Sequence, residues 1–332
     1  MARTSTFAKF FPAPQFLKVA WVGIDMSDES LRLVELVNGA SGLRLGHFAE
    51  KELERGIMKS GQILDKAKLI IALKELRKLS PTPNINSSLP EEKSYLFTAD
   101  VADGTEEEIR QNIEYILEEN VPIPPSETLF EFDIIKRYEH ETKVSVSVTA
   151  TPAKIVEEYT EVFNSSGFTP YSMEVEGRPL ARALLPRGEE RGKGGTSVII
   201  NYNDQNAGIF LVSGGIIWYT STLSFELKDI PDDFNKEGLV DIHSYIKKEI
   251  EKVFAYWHSK DSGQKKIDSL VLSGKNATDE KFINILRGGF SANVEVADVW
   301  SNVGGEHKGV PVIDYSESVR FTVAIGLALK GR

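Results

Sequence analysis

Apolar and polar positions begin to alternate in earnest at residue 19. Residues 19–26 run apolar, 31–37 alternate, and 43–49 form a third candidate strand after the turn signal "NGASG". The period then changes. Across 65–79, Ile70, Leu73, Leu76 and Leu79 recur at helical spacing, and "SPTPN" closes the helix. Residues 94–101 read as a strand. The next helix opens on Thr105 with Glu108 three residues on, a capping box in which hydroxyl and carboxylate each satisfy a free backbone amide. It runs to about Asn120 with Ile109, Ile113, Ile116 and Leu117 on one face. "VPIPP" stops it, because proline has no amide to donate and biases the preceding residue away from helix. Residues 128–138 and 143–151 read as strands, the second in nearly pure period-two alternation. A helix over 152–166 has Pro152 in its first turn and ends at Gly167; "YSMEVEGRPLARALL" then gives a short strand leading into a helix.

Residues 187–195, "RGEERGKGG", hold no apolar residue and mark a domain boundary. Beyond it the pattern starts again. Shifted by 176 positions, Val22-Gly-Ile-Asp25-Met-Ser27-Asp28 falls on Val198-Ile-Ile-Asn201-Tyr-Asn203-Asp204. Three strands with the same turn positions recur, followed by a helix at about 239–258, a strand at 267–274, a helix from about 278, a strand at 293–299 and a C-terminal helix. A repeat of this kind predicts a duplicated α/β domain.

Composition narrows the function classes. With 332 residues, 41% hydrophobic and 27% charged, the chain suits two domains or one bilobed globular fold. A net charge of −10 argues against general nucleic-acid binding, which leaves a basic footprint. The chain has no cysteine, so disulfides, thiolate metal sites and thiol catalysis are excluded. The five histidines, His47, His140, His243, His258 and His307, show no ligand spacing. The leader, 1–18, carries Arg3, Lys9 and Lys18 among Phe7, Phe10, Phe11 and Phe16. Lys9, Pro12 and Pro14 interrupt any signal-peptide core. The leader reads either as a flexible segment whose phenylalanines pack on the first strands, or as a contact for an anionic membrane surface.

Two β-β-β-α halves facing a cleft are the plan of the actin-like ATPases, and in "GIDMSDESLRLVEL", "EEEIRQNIEYILEENVPIP" and "VAIGLALKG" the chain resembles the PilM family of type IV pilus assembly, relatives of FtsA. "GIDMSDESLRLVEL" resembles that family's opening "GIDIG" strand and turn. "EEEIRQNIEYILEENVPIP" resembles its helix with a proline stop, and "VSVSVTATPAKIVEEYTEVFNSSGFTPYSMEVEGRPLARAL" its central block. "VAIGLALKG" resembles its tail. The resemblance implies an actin-like fold of duplicated ribonuclease H-like domains with an α+β subdomain inserted in the first half. The expected division is 19–60, 168–190 and 315–332 for the first domain, 61–167 for the insertion, and 195–314 for the second domain, with a helical part at about 228–266.

In that family, glycine-containing hairpin turns hold nucleotide phosphates by backbone amides, an aspartate orients magnesium, and a later glycine loop accepts adenine. Here Asp25 keeps the aspartate position and is the magnesium residue if Mg-ATP binds. Ser27 stands in place of the glycine and Asp28 in place of the hydroxyl; in the second hairpin Asn201 replaces the aspartate and Asn203 the glycine, with Asp204 next. The adenine loop "SGKNA" keeps Gly274, followed by Lys275. Asp28 and Asp204 are expected at the two hairpin tips, where paired carboxylates oppose a polyphosphate. A degenerate cleft is therefore expected, with no cofactor, against the alternative of ATP and Mg binding that gates a partner. The resemblance further implies a cytoplasmic scaffold at the inner face of the cytoplasmic membrane. It would bind the N-terminal cytoplasmic peptide of a PilN-type protein in a groove between the first half and its insertion, and would meet the pilus ATPase complex. The strands at 94–101 and 128–150 are the expected lining. A third reading, an FtsA-like membrane-tethered filament, predicts an amphipathic C-terminal membrane helix, whereas this sequence ends at "LALKGR".

Overall fold

A computed structural model describes residues 20–39, 42–138, 142–186, 195–226, 228–236, 239–260, 266–303 and 313–332. The expected leader, nearly all of the expected boundary at 187–195, and His140 and His307 lie outside the described residues.

The first half opens with β1 (Val22–Met26), β2 (Ser30–Gly39) and β3 (Gly42–Glu52), then a small hairpin of β4 (Met58–Lys59) and β5 (Gln62–Ile63). Helix α1 (Lys66–Leu79) leads to β6 (Asn84–Leu89). An excursion follows through β7 (Tyr95–Ala102), α2 (Glu106–Asn120), β8 (Thr128–Arg137) and β9 (Lys143–Pro152). Helix α3 (Ala153–Ser165), β10 (Thr169–Val175) and α4 (Gly177–Leu184) return to the first sheet. The second half comprises β11 (Thr196–Tyr202), β12 (Asn206–Ser213), β13 (Ile216–Ser224), a small pair β14 (Asn235–Lys236) and β15 (Leu239–Val240), α5 (Ile242–Ser259), β16 (Ser269–Ser273), α6 (Glu280–Gly289) and β17 (Asn293–Val296). Helices α7 (Tyr315–Ser318) and α8 (Thr322–Ala328) close the chain.

The two five-stranded sheets run β10-β6-β1-β2-β3 and β13-β12-β11-β16-β17, which is one path read in opposite directions. In each, an antiparallel meander of three strands is joined on the far side of its first strand by two parallel strands. The repeat extends to register. Asp25 faces Arg32 and Ile24 faces Leu33; the equivalents 176 residues on, Asn201 and Ile200, face Gly208 and Ile209. The turns close alike, Ser27 N donating to Ser30 O at 3.0 Å and Asn203 N to Asn206 O at 2.9 Å.

The hydrogen bonding divides the first half differently from the expected 61–167 insertion. Strand β6 pairs with β1 and β10 inside the first sheet, and Leu69, Leu73 and Leu76 of α1 share one core with Tyr159, Val162 and Phe163 of α3. The separate unit is the three-stranded sheet β7-β9-β8 with α2, which has its own core of Ile109, Ile113, Leu117, Val144, Val146 and Val148. Helix α2 carries the expected capping box of Thr105 and Glu108.

Two glycines in the family-like segments serve packing. A Cβ on Gly23 would lie 2.0 Å from Ala324 O, and one on Gly326 would lie 1.9 Å from Pro179 O. Thus α8 lies bare backbone to bare backbone against β1 and α4. Asn86 Nδ2 donates to Leu327 O at 3.1 Å and Arg182 Nη1 to Gly326 O at 2.9 Å, which uses carbonyls at the helix end. No helix among the described residues is long and apolar enough to cross a membrane.

Candidate functional site

The repeated hairpins face each other across the cleft, and the predicted residues there are already bonded. Asp25 is buried, with Oδ1 accepting from Ser88 Oγ at 3.1 Å and Oδ2 3.4 Å from Arg32 Nη1. Burial raises its carboxyl above the ordinary value, while Arg32 pulls the other way. Arg32 Nε also pairs with Glu50 at 2.9 Å, and Glu50 with Arg320 at 3.2 Å, so Asp25 anchors a line of charges running to the C-terminal segment. Ser27 closes its own turn: its Oγ donates to Ser30 O at 3.1 Å.

Asp28 and Asp204 do not converge. Asp28 turns into the first half, where its carboxylate accepts from the amides of Ser60 and Gly61, at 2.5 and 3.0 Å. Both residues have positive φ in the tight β4–β5 turn, so their amides point the same way. Burial nonetheless raises the Asp28 carboxyl. Asp204 turns into the second half and pairs with Lys275 Nζ and with Asn276 Nδ2. Asn203 Oδ1 accepts from Lys275 N at 3.1 Å, and Tyr202 O accepts from Asn276 N at 2.9 Å. The structure therefore brings Asn203, Asp204, Gly274 and Lys275 together as one stitched pair of loops. Gly274 has φ +90°, and a Cβ there would lie 2.6 Å from Tyr202 O.

Apart from Asn201, the groups that cross the cleft were not singled out from sequence. Glu29 Oε1 accepts from Gln205 N at 2.7 Å. Glu92 Oε1 accepts from Asn206 Nδ2 at 3.3 Å, and Glu91 Oε1 from Thr220 Oγ1 at 2.8 Å. Glu176 Oε2 lies 3.5 Å from Asn201 Nδ2, and Lys59 pairs with Glu226 at 2.9 Å. Burial raises the Glu91 carboxyl to about 7, and raises Glu176 well above its ordinary range with Glu92 and Asp25 adding to the effect. "LPEEK" reads as a polar connection in sequence; the only signal for Glu91 and Glu92 is adjacency to proline at a strand end. Among the described residues no group of His, Asp and Glu is arranged to hold a metal ion.

A second concavity lies between the first sheet and the inserted sheet. Strand β10 ends one sheet and β8 ends the other, so each offers an edge without a strand partner among the described residues. Between them is a groove of about 380 Å³ lined by Leu89, Leu129, Phe130, Val156, Tyr171 and Val175, with Thr149, Thr151 and Thr160 supplying hydroxyls. Leu129 is 51% and Tyr171 70% exposed, which is high for large apolar side chains. Arg178 at one end pairs with Glu131 at 3.4 Å and Asp133 at 2.9 Å, tying β8 to α4. Of the lining expected from sequence, 128–150 contributes and 94–101 does not; β7 sits on the other edge of the inserted sheet, beside β13. Strand β10 and helix α3 supply most of the rest, with Leu89 of β6 and Arg178 of α4.

The sequence model of the type IV pilus assembly protein PilM family matches residues 23–199, more than half of the chain. No curated protein matches the chain at a significant level. Among solved structures, a chain of a PilM–PilN type IV pilus biogenesis complex superposes with a TM-score of 0.76 at 18% identity, over 94% of this chain and 98% of that one. The cytoplasmic domain of EpsL, an inner-membrane component of the type II secretion system of Vibrio cholerae, gives 0.47 at 10% identity over 95% and 96%. The ethanolamine utilization protein EutJ of Carboxydothermus hydrogenoformans gives 0.46 at 14% over 95% and 90%. The architecture is the actin-like ATPase fold.

Proposed function

The chain belongs to the type IV pilus assembly protein PilM family, and from that membership we propose that it is an assembly scaffold whose working surface is the groove between β8 and β10. The observation that carries this reading is the pair of strand edges facing one apolar groove. An extended peptide fits such a place by adding main-chain bonds to an edge and setting alternate side chains into the apolar floor. The peptide we assign is the N-terminal cytoplasmic segment of a PilN-type membrane protein, the partner of the PilM chain in the similar complex. Such docking holds the protein on the cytoplasmic face of the inner membrane, within reach of the pilus ATPase complex.

In this reading the interlobe cleft is a closed structural seam. The amide of Gln205 is held by Glu29, that of Lys275 by Asn203 and that of Asn276 by Tyr202. A nucleotide would have to displace these bonds, each worth about 1 kcal/mol and more where charged. It would also bring phosphates beside Asp25, Asp28, Glu29 and Glu92. The protein then binds no ATP and hydrolyses none.

Two titrations test the reading. With a synthetic PilN-type N-terminal peptide, micromolar binding is expected that falls at least tenfold in Leu129→Glu; equal affinity for parent and variant overturns the groove assignment. With Mg-ATP, calorimetry is expected to show no heat and thermal melting no shift. Micromolar binding there revives the nucleotide-gated alternative.

A further inference from the structure

We propose that the outward face of α1 is a contact for an anionic lipid surface, a claim that stands apart from the groove assignment. The helix turns Leu69, Ala72, Leu73 and Leu76 into the first core. At about 100° per residue, Ala67, Ile71, Lys74 and Lys78 then point the opposite way, and all four are exposed. Ile71 and Leu79 are each 59% exposed, and Leu64, just before the helix, 52%. Large aliphatic side chains are thus left in water along about 20 Å of helix.

Charge points to the occupant. Residues 66–79 carry five cations and one carboxylate, in a chain whose net charge is −10. Arg77 is committed to the fold, donating to Gly167 O at 3.0 Å and to Ser80 O at 3.1 Å. The four lysines are not. Lys74 and Lys78 make no ion pair among the described residues. Lys66 pairs with Glu161, and Lys68 with Glu54 at 3.2 Å, but all four of these side chains are at least 43% exposed. Pairs of that kind are weak and exchange readily for a lipid phosphate. The other carboxylates nearby are occupied: Glu75 is held by Lys51 at 2.7 Å, and Asp65 caps the helix by accepting from Lys68 N at 3.0 Å.

Lysines set around aliphatic side chains fit lipid better than protein, because the centre of a protein interface is depleted in lysine. At a membrane, Ile71 and Leu79 enter the acyl boundary while the lysine stems snorkel to the phosphates. Each lysine near the surface then strengthens attachment to anionic lipid. One such helix attaches reversibly, so it acts beside a second signal, which a membrane-anchored partner supplies in the reading above. Its place in the fold suits that role: Lys66 ties α1 to α3, whose Val156 and Thr160 line the groove.

The full chain is tested on phosphatidylcholine vesicles with and without about one third phosphatidylglycerol, and with no peptide present. Binding is expected only to the anionic vesicles, and Lys74→Glu with Lys78→Glu is expected to weaken it about tenfold. Lys228→Glu with Lys248→Glu makes the same change of net charge on exposed lysines of the second half, and is expected to stay within about twofold of the parent. Equal loss in the two double variants overturns the proposal. No binding to the anionic vesicles also overturns it, and leaves an acidic protein as the partner of this face.

Because the chain has no cysteine, a polarity-sensitive fluorophore can be placed at a single site. On anionic vesicles, labelled Ile71→Cys is expected to shift its emission to the blue, and labelled Tyr115→Cys, at a position 84% exposed on α2, to show no shift. No shift at Ile71→Cys, or equal shifts at both sites, means that another surface meets the lipid and overturns the assignment to α1. Neither result touches the groove, which the peptide titration tests by itself.

Discussion

Glu29 and Gln205 hold the same position in the two halves of the repeat, 176 residues apart, and are bound to each other: Glu29 Oε1 accepts from the Gln205 amide at 2.7 Å. The hairpins that mirror each other in register thus join at equivalent residues, one giving a carboxylate and the other a backbone N–H. Glu29→Ala is expected to free the Gln205 amide, and Glu29→Gln to keep most of the bond. The predicted loss for alanine is about 1 kcal/mol, the lower end for a charged acceptor because Glu29 is half-buried. Amide hydrogen exchange at Gln205 is the direct readout. Exchange unchanged in Glu29→Ala would show that the bond does not hold the halves together.

Glu91 gives the seam a pH dependence. Burial raises its carboxyl from the ordinary 4.5 to about 7. The folded chain therefore keeps a proton that the unfolded chain gives up first. The stabilisation from this group is full below pH 4.5, declines as pH rises, and is gone above pH 7. Glu91→Gln stays neutral throughout; its one oxygen can accept from the Gly177 amide while its NH2 donates to the Thr220 hydroxyl, which can act as acceptor. The variant is expected to unfold like the parent at pH 4 and to be more stable at pH 8, by on the order of 2–3 kcal/mol. Urea melts at the two pH values decide it, and equal stability at pH 8 counts against the buried carboxylate.

The large elements were legible because each obeys a single period. Strand β9 alternates Val144, Val146 and Val148 inward, and α2 announces itself by its cap. Strand β6 was not legible. "NINSSL" looks like a polar connection, yet it lies between β10 and β1 in the first sheet. Ser88 and Asn86 tolerate burial because their bonds find distant partners: Ser88 Oγ donates to Asp25, Asn86 Nδ2 to Leu327 O, and Ser172 Oγ to Asn86 Oδ1. Such partners lie 63, 241 and 86 residues away, beyond any local pattern. The same holds for the cleft. The repeat located Asp28 and Asp204 at the turns, but side-chain direction depends on Ser60, Gly61 and Lys275, which the repeat does not contain.

Gly23 tests the packing of α8 on the first sheet. It lies within β1, before the turn position that Ser27 fills, and its missing Cβ makes room for Ala324 O, 2.0 Å from where it would stand. Gly23→Ala is therefore expected to destabilise the protein with or without nucleotide, by on the order of 3 kcal/mol, since β1 and α8 must separate. Gly56, which has open space around its Cβ position but a φ of +88°, provides a milder comparison. If Gly23→Ala melts like the parent, the close approach of α8 to β1 is not holding the fold.

Arg178 separates groove geometry from stability. Its guanidinium pairs with Glu131 and Asp133 on β8 while its backbone belongs to α4, so it sets the distance between the inserted sheet and the first half. Both carboxylates are substantially exposed, at 56% and 44%, so the pairs add little to global stability. Arg178→Ala is expected to leave the unfolding free energy from urea melts within about 1 kcal/mol of the parent. Loss of the tie lets β8 drift from β10, and an extended peptide can then no longer meet both edges at once. Affinity for the PilN-type peptide should fall about tenfold, through faster dissociation. High salt should weaken the parent's binding and move Arg178→Ala much less, because the screened interaction is already gone. A variant that binds peptide like the parent at low salt would mean that the groove's width does not depend on this pair.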